Sequence, residues 1–99
     1  MVPIVYLPLA ERELNDAALY YEMESPGLGS AFLDEIERCE QAIAQFPEAG
    51  TCILGQVRRR LLRRFPYALL YSVRRDGIRI LAVMNLKRRP MYWVGRERS

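Results

Sequence analysis

Ninety-nine residues with a net charge of +3 give one small domain and no room for a second core. The chain is 51% hydrophobic and 27% charged, the balance of a soluble globular protein, and no apolar run approaches the roughly 18 residues of a membrane span. Two cysteines outside any CxxC, no histidine and no secretory apolar segment argue against a disulfide framework and a zinc site. A cytoplasmic protein working without metal or cofactor is expected.

Val2–Tyr6 is β-prone, and Pro3 within it marks an edge position or a bulge. Pro8 suits the first turn of a helix that runs to Glu24, with Ala10, Leu14, Ala17, Ala18 and Tyr21 at helical spacing. Glu11, Arg12, Asn15, Asp16 and Glu22 occupy its other face. At Ser25-Pro26-Gly27 this helix stops and a second begins, Ser25 reading as its cap and Pro26 as its first residue. Leu28, Phe32, Ile36, Cys39, Ile43 and Phe46 then form a narrow apolar seam down to Pro47. Residues 8–46 are therefore an antiparallel helix hairpin.

Glu48–Gln56 reads as a loop carrying Cys52, after which the period becomes strand-like. Three strands are expected, Val57–Phe65, Tyr67–Arg75 and Ile78–Leu86, joined at Phe65-Pro66 and at the hairpin signal Asp76-Gly77. Tyr67, Leu69, Tyr71 and Val73 share one face. Ile78, Ile80, Ala82 and Met84 oppose Arg79, Leu81, Val83 and Asn85. The fold class is α+β: an N-terminal edge strand, the hairpin, a three-stranded antiparallel meander over 57–86 and a basic tail over 87–99. One sheet face takes the helices; the other is expected to stay partly open and to carry the arginines.

The net charge conceals an asymmetry. Residues 1–56 hold two arginines against ten acids, or −8, while residues 57–99 hold twelve arginines and Lys87 against two acids, or +11. Such a field suits a phosphate backbone or an acidic protein segment, and arginine's planar fork suits either. The bland alternative is a charged face that only maintains solubility.

Several motifs, in order, resemble one family. Arg59-Arg60, Arg64-Phe65-Pro66-Tyr67 and Leu70-Tyr71 resemble the central signature of ParE-type toxins, the plasmid-stabilisation branch of the ParE/RelE toxin–antitoxin superfamily. Ile80-Leu81-Ala82-Val83, Arg89-Pro90 and Tyr92-Trp93 continue it. Ala10, Leu14, Tyr20-Tyr21, Pro26-Gly27-Leu28-Gly29 and Phe32-Leu33 fit the family's helix hairpin, so the resemblance covers nearly the whole chain. Read by themselves, Phe65, Tyr67, Tyr71 and Trp93 are core aromatics, and Tyr92 and Trp93 lock the last segment to the sheet. One departure matters: Asn85 stands where related sequences commonly have histidine, which excludes an imidazole base here.

The resemblance implies a toxin of a type II system held by an antitoxin with a flexible, acidic, partly apolar segment, in a complex that can contain two copies of each chain. ParE-like members are described as inhibitors of DNA gyrase without turnover of their own. On that reading Arg58, Arg60, Arg64, Arg88, Arg89, Arg96 and Arg98 form the inhibitory surface. RelE-like members are ribosome-dependent mRNA endonucleases. Here Arg59, Arg64, Arg79, Arg88 or Arg89 could stabilise the phosphorane, with Arg64, Arg89 and Tyr92 as the catalytic candidates and Tyr92 or Tyr71 as a base of lowered pKa. A non-toxic relative that only binds its antitoxin, or a DNA binder of salt-dependent affinity, complete the alternatives. No basic helix resembles a groove reader.

Overall fold

Both helices lie in the acidic stretch 1–56, and three of the five strands lie in the basic stretch 57–99. A computed structural model describes residues 2–96. In chain order the elements are β1 (Ile4–Tyr6), α1 (Pro8–Glu24), α2 (Leu28–Gln45), β2 (Thr51–Leu54), β3 (Val57–Leu61), β4 (Tyr67–Arg74) and β5 (Gly77–Asn85). They form one five-stranded sheet of order β1-β5-β4-β3-β2, in which only β1 runs parallel to its neighbour.

Pro8 opens α1 as its fixed φ and missing N–H allow. The start of α2 departs from expectation. The Ser25 side chain makes no capping bond to α2, although its carbonyl accepts the Leu28 amide at 3.0 Å; its extended backbone ends α1, and its N–H donates to the Tyr21 carbonyl. Gly27 takes the N-cap place in the left-handed region (φ 87°), so Pro26 lies outside the helix. The free amides of Gly27 and Gly29 instead donate to the Glu22 carboxylate, each at 3.1 Å, so the preceding helix supplies the cap.

The expected loop at 48–56 contains a strand. β2 pairs antiparallel with β3, with Thr51 opposite Arg59 and Cys52 opposite Arg58, and its bulge beyond Cys52 breaks the alternation that would have announced it. Cys52 is exposed on this edge strand, not in a loop. The meander is thus four strands long, and β3 ends at Leu61, short of Phe65.

Alternation along β5 also fails at one residue. Leu70 faces Ala82 while Tyr71 faces Ile80, so Leu81 is an extra residue in β5. Beyond it the phase reverses. Val83 joins Ile78 and Ile80 beneath the helices, whereas Ala82 and Met84 join Leu81 on the far side. The far side is consequently no open arginine face. Val57, Ala68, Leu70, Leu81 and Ala82 form a second core there, closed by Trp93 at 1% exposure. Between helices and sheet, Phe32, Ile36, Ile43, Leu69, Tyr71 and Ile80 form the main core. In it Tyr21, Phe32, Phe65 and Tyr67 meet mostly edge to face, with centroids 4.8 to 6.1 Å apart. Each large side chain so buried contributes roughly 1.5–3 kcal/mol. Among the described residues no helix is long and apolar enough to cross a membrane.

Candidate functional site

The arginines do not share one face. Arg58 and Arg60 lie opposite Tyr71 and Leu69, on the helix side of β3, and Arg59 lies opposite Leu70, on the Trp93 side. Arg58 donates to the carbonyls of Glu48 and Gly50 at 2.9 and 2.8 Å, tying the approach to β2 onto β3. Arg60 borders a small cleft with Glu35, Arg38, Cys39 and Arg63. Burial pushes the Cys39 thiol up to about 11, against the opposing pull of Arg60, which leaves it an unreactive core thiol. Arg79 lies opposite Ser72, and Arg74 lies in the last pair before the β4–β5 hairpin turn, at the sheet's other end.

One end of the sheet does concentrate charge. Tyr67 at the start of β4 pairs with Asn85 at the end of β5, and the Leu86 amide donates to the Pro66 carbonyl at 2.9 Å. This brings the turn Arg63-Arg64-Phe65-Pro66 beside Lys87-Arg88-Arg89. Arg63, Arg64, Lys87, Arg88 and Arg89 are all exposed there. No described carboxylate lies within ion-pair distance of them, since the described pairs are Arg38–Glu35 and Arg96–Glu13. Arg64 stands 5.7 Å from the Phe65 ring centre and Arg88 4.2 Å from that of Tyr92, so aromatic faces hold both guanidinium planes.

A buried acid shapes this end. Glu35, 4% exposed, accepts the backbone amides of Arg63 at 2.6 Å and Arg64 at 2.8 Å, with Arg38 at 3.4 Å. The amide of Arg64 chiefly, with that of Arg63 and the nearby guanidiniums, holds its carboxyl below the ordinary range despite burial. Glu35 thus fixes the main chain from which two of the exposed arginines project. A second acid anchors the C-terminal segment. Glu13 accepts from the Val83 amide, the Tyr92 hydroxyl and both terminal nitrogens of Arg96.

Of the residues expected at the site, Arg64, Arg88 and Arg89 converge and Arg60 lies in the cleft bordered by Arg63. Arg58 and Arg96 are committed to internal bonds, and Arg98 lies outside the described residues. A cleft of about 310 Å³ beside the basic end is lined by Glu13, Asp16, Tyr67, Asn85, Arg88 and Tyr92 among others. Tyr92 is not prepared to act as a base in it: burial, then its bond to Glu13 and that residue's charge, hold the phenol well above its ordinary value. Tyr71, also raised by burial, donates to the Pro47 carbonyl on the helix side. Sequence reasoning missed Arg63, Glu13, Glu35 and Asp16 as neighbours of the site. The signal for Glu13 and Glu35 was an acid bordering the buried stripe of its helix, beside Ala10 and Ala17 or beside Phe32, Ile36 and Cys39.

A helix hairpin packed on an antiparallel sheet with one added parallel edge strand, and a basic end built from two adjoining turns, defines a small α+β domain with one cationic end. Residues 4–90 match the family described as ParE toxin of type II toxin–antitoxin system, parDE, and the chain belongs to that family. Its fold is similar to that of a solved chain described as "Chromosomal ParDE TA system from P. aeruginosa", with a TM-score of 0.74 at 19% identity over 86% of this chain and 96% of that one. No curated protein matches the sequence.

Proposed function

We propose that this chain acts as the toxin of a type II pair by binding, as a non-enzymatic inhibitor of DNA gyrase in the cytoplasm, and that a cognate antitoxin neutralises it. The observation that carries the binding mode is the set of five exposed cations at one sheet end, on turns fixed by Glu35 and by the Leu86–Pro66 bond. Such a surface suits a charged macromolecular target and needs no proton shuttle. The choice of gyrase as that target rests on the resemblance to ParE-like members and on no feature of the basic end itself. The antitoxin would cover the basic end with an acidic segment, in a complex that can contain two copies of each chain.

The mRNA endonuclease reading needs a proton acceptor beside the arginines. Tyr92 is shifted the wrong way, and Glu13 is occupied by Tyr92, Val83 and Arg96. Asp16 borders the same cleft and is the one exposed carboxylate there.

Pulse-labelling of DNA and protein synthesis just after induction without antitoxin tests the proposal. Early loss of DNA synthesis with a DNA-damage response is expected, and the triple variant Arg64→Glu, Arg88→Glu, Arg89→Glu should abolish it. Early loss of protein synthesis would transfer the assignment to the nuclease, with Asp16 as the first base to replace. Growth unaffected by the folded wild-type protein would leave a non-toxic antitoxin binder.

A further inference from the structure

A large concavity lies away from the basic end and has the opposite charge. A groove of about 940 Å³ runs between β1 and α2, floored by Val2, Ile4, Leu14, Leu33, Ile36 and Ala44. Leu33 is 42% and Val2 40% exposed, unusual for side chains lining one contiguous apolar trough. Among the described residues, the charged ones lining it are Glu37 and Glu40. Glu40 also receives the Tyr6 hydroxyl, which sets its carboxylate at the β1 side of the groove, while Glu37 is exposed on α2.

Burying these apolar groups rewards an apolar occupant, but two carboxylates at the lip select its charge. An acidic segment suited to Arg63, Arg64 and Lys87–Arg89 would be repelled here. We propose that the groove takes a second, chemically different segment of the partner, apolar along its inner side and carrying lysine or arginine opposite Glu37 and Glu40. This rests on the antitoxin reading above and makes the neutralising chain bipartite: acidic where it meets the sheet end, basic and apolar where it meets the helix hairpin. A segment of either type alone would leave one of the two surfaces uncovered, so the charge order along the partner fixes the direction in which it wraps.

The test is selection of random 12-residue displayed peptides on the full-length protein, with subtraction of those that also bind the Leu33→Glu variant. Leu33 is partly exposed, so that variant should keep the wild-type circular dichroism, and Ala44→Glu serves as a second groove variant. The expected survivors are apolar with net positive charge, weaken about tenfold on Glu37→Lys, and weaken as salt rises. The proposal is overturned if survivors are acidic or neutral, or if none depends on Leu33. It is also overturned if sedimentation shows a dimer that Leu33→Glu dissolves, because a second copy then fills the groove. Toxicity is measured separately: harmless protein with basic survivors sinks the toxin reading and keeps this one, and toxic protein with acidic survivors does the reverse.

Discussion

Glu13 on α1 and Arg96 at the end of the described chain, 83 positions apart, form a two-pronged ion pair at 2.8 and 3.1 Å. The same carboxylate takes the Tyr92 hydroxyl, and Arg96 also donates to the carbonyl of Leu81, the bulge residue. One acid thus holds the segment that seats Trp93 on the second core. Glu13→Gln leaves a partly buried guanidinium without its counter-charge and should cost about 2–3 kcal/mol of stability. Trp93 is the single tryptophan, so its emission in urea titration reports the loss directly. An unchanged midpoint would mean that the hydrophobic seat of Trp93 holds the segment unaided.

Glu35 should make stability depend on acidity. Its folded carboxyl titrates below the ordinary value of 4.5, because the amides of Arg64 and Arg63 favour the charged form. The stabilisation is therefore complete above the unfolded pKa and disappears as pH falls through the folded one. Glu35→Gln should be less stable than wild type near pH 7, and the gap should narrow toward about pH 3. Urea midpoints of both proteins across that range check it, and a gap independent of pH would assign the effect to packing.

Gly77 sits where the β4–β5 hairpin returns beneath β1. Its φ is +150°, and an added Cβ would lie 2.5 Å from the Pro3 carbonyl oxygen. The Ile78 amide donates to that same oxygen at 2.8 Å. Gly77→Ala should thus push β1 from the sheet at a cost of about 1–3 kcal/mol. Amide exchange read by NMR should speed up at Ile78 and along β1, with β3 little changed. Protection retained at Ile78 would count against the close approach.

Arg58 and Arg89 should separate stability from action. Arg58→Ala removes the bonds to Glu48 and Gly50 and should lower stability by about 1–2 kcal/mol while leaving toxicity per folded molecule intact. Arg89→Ala should do the opposite, since Arg89 is exposed and makes no described ion pair. Thermal melts beside growth assays distinguish the two, and toxicity lost with Arg58 but kept without Arg89 would refute the division.

The helices were legible because Phe32, Ile36, Cys39 and Ile43 repeat at one period and face one layer. The β4–β5 hairpin was legible from Asp76-Gly77, and the anchoring role of Trp93 from the buried area a large aromatic supplies. What was hidden depended on departures from period. The extra residue at Leu81 changes the face of Val83, and the bulge past Cys52 hides β2 within a glycine-bearing stretch. The scatter of arginines has a simpler cause: Arg58, Arg59 and Arg60 are consecutive on β3, so alternation alone keeps them from sharing a face. The basic end was recoverable: pairing Tyr67 with Asn85 already places Arg64 beside Arg88. Of Glu35 and Glu13 only the place beside a buried stripe was recoverable, since a helical acid shows its distant amide partners only after the layers are packed.

The residue inserted at Leu81 lets a single strand serve both sides of the sheet, with Ile78, Ile80 and Val83 on one and Leu81 and Ala82 on the other. The two apolar layers are therefore back to back across the same backbone. Twisting β5 to loosen one layer misaligns the other, so the helix hairpin and the C-terminal segment are mechanically coupled although they do not share a core. A partner gripping one side would stiffen the opposite one, and this small chain would melt as one cooperative unit.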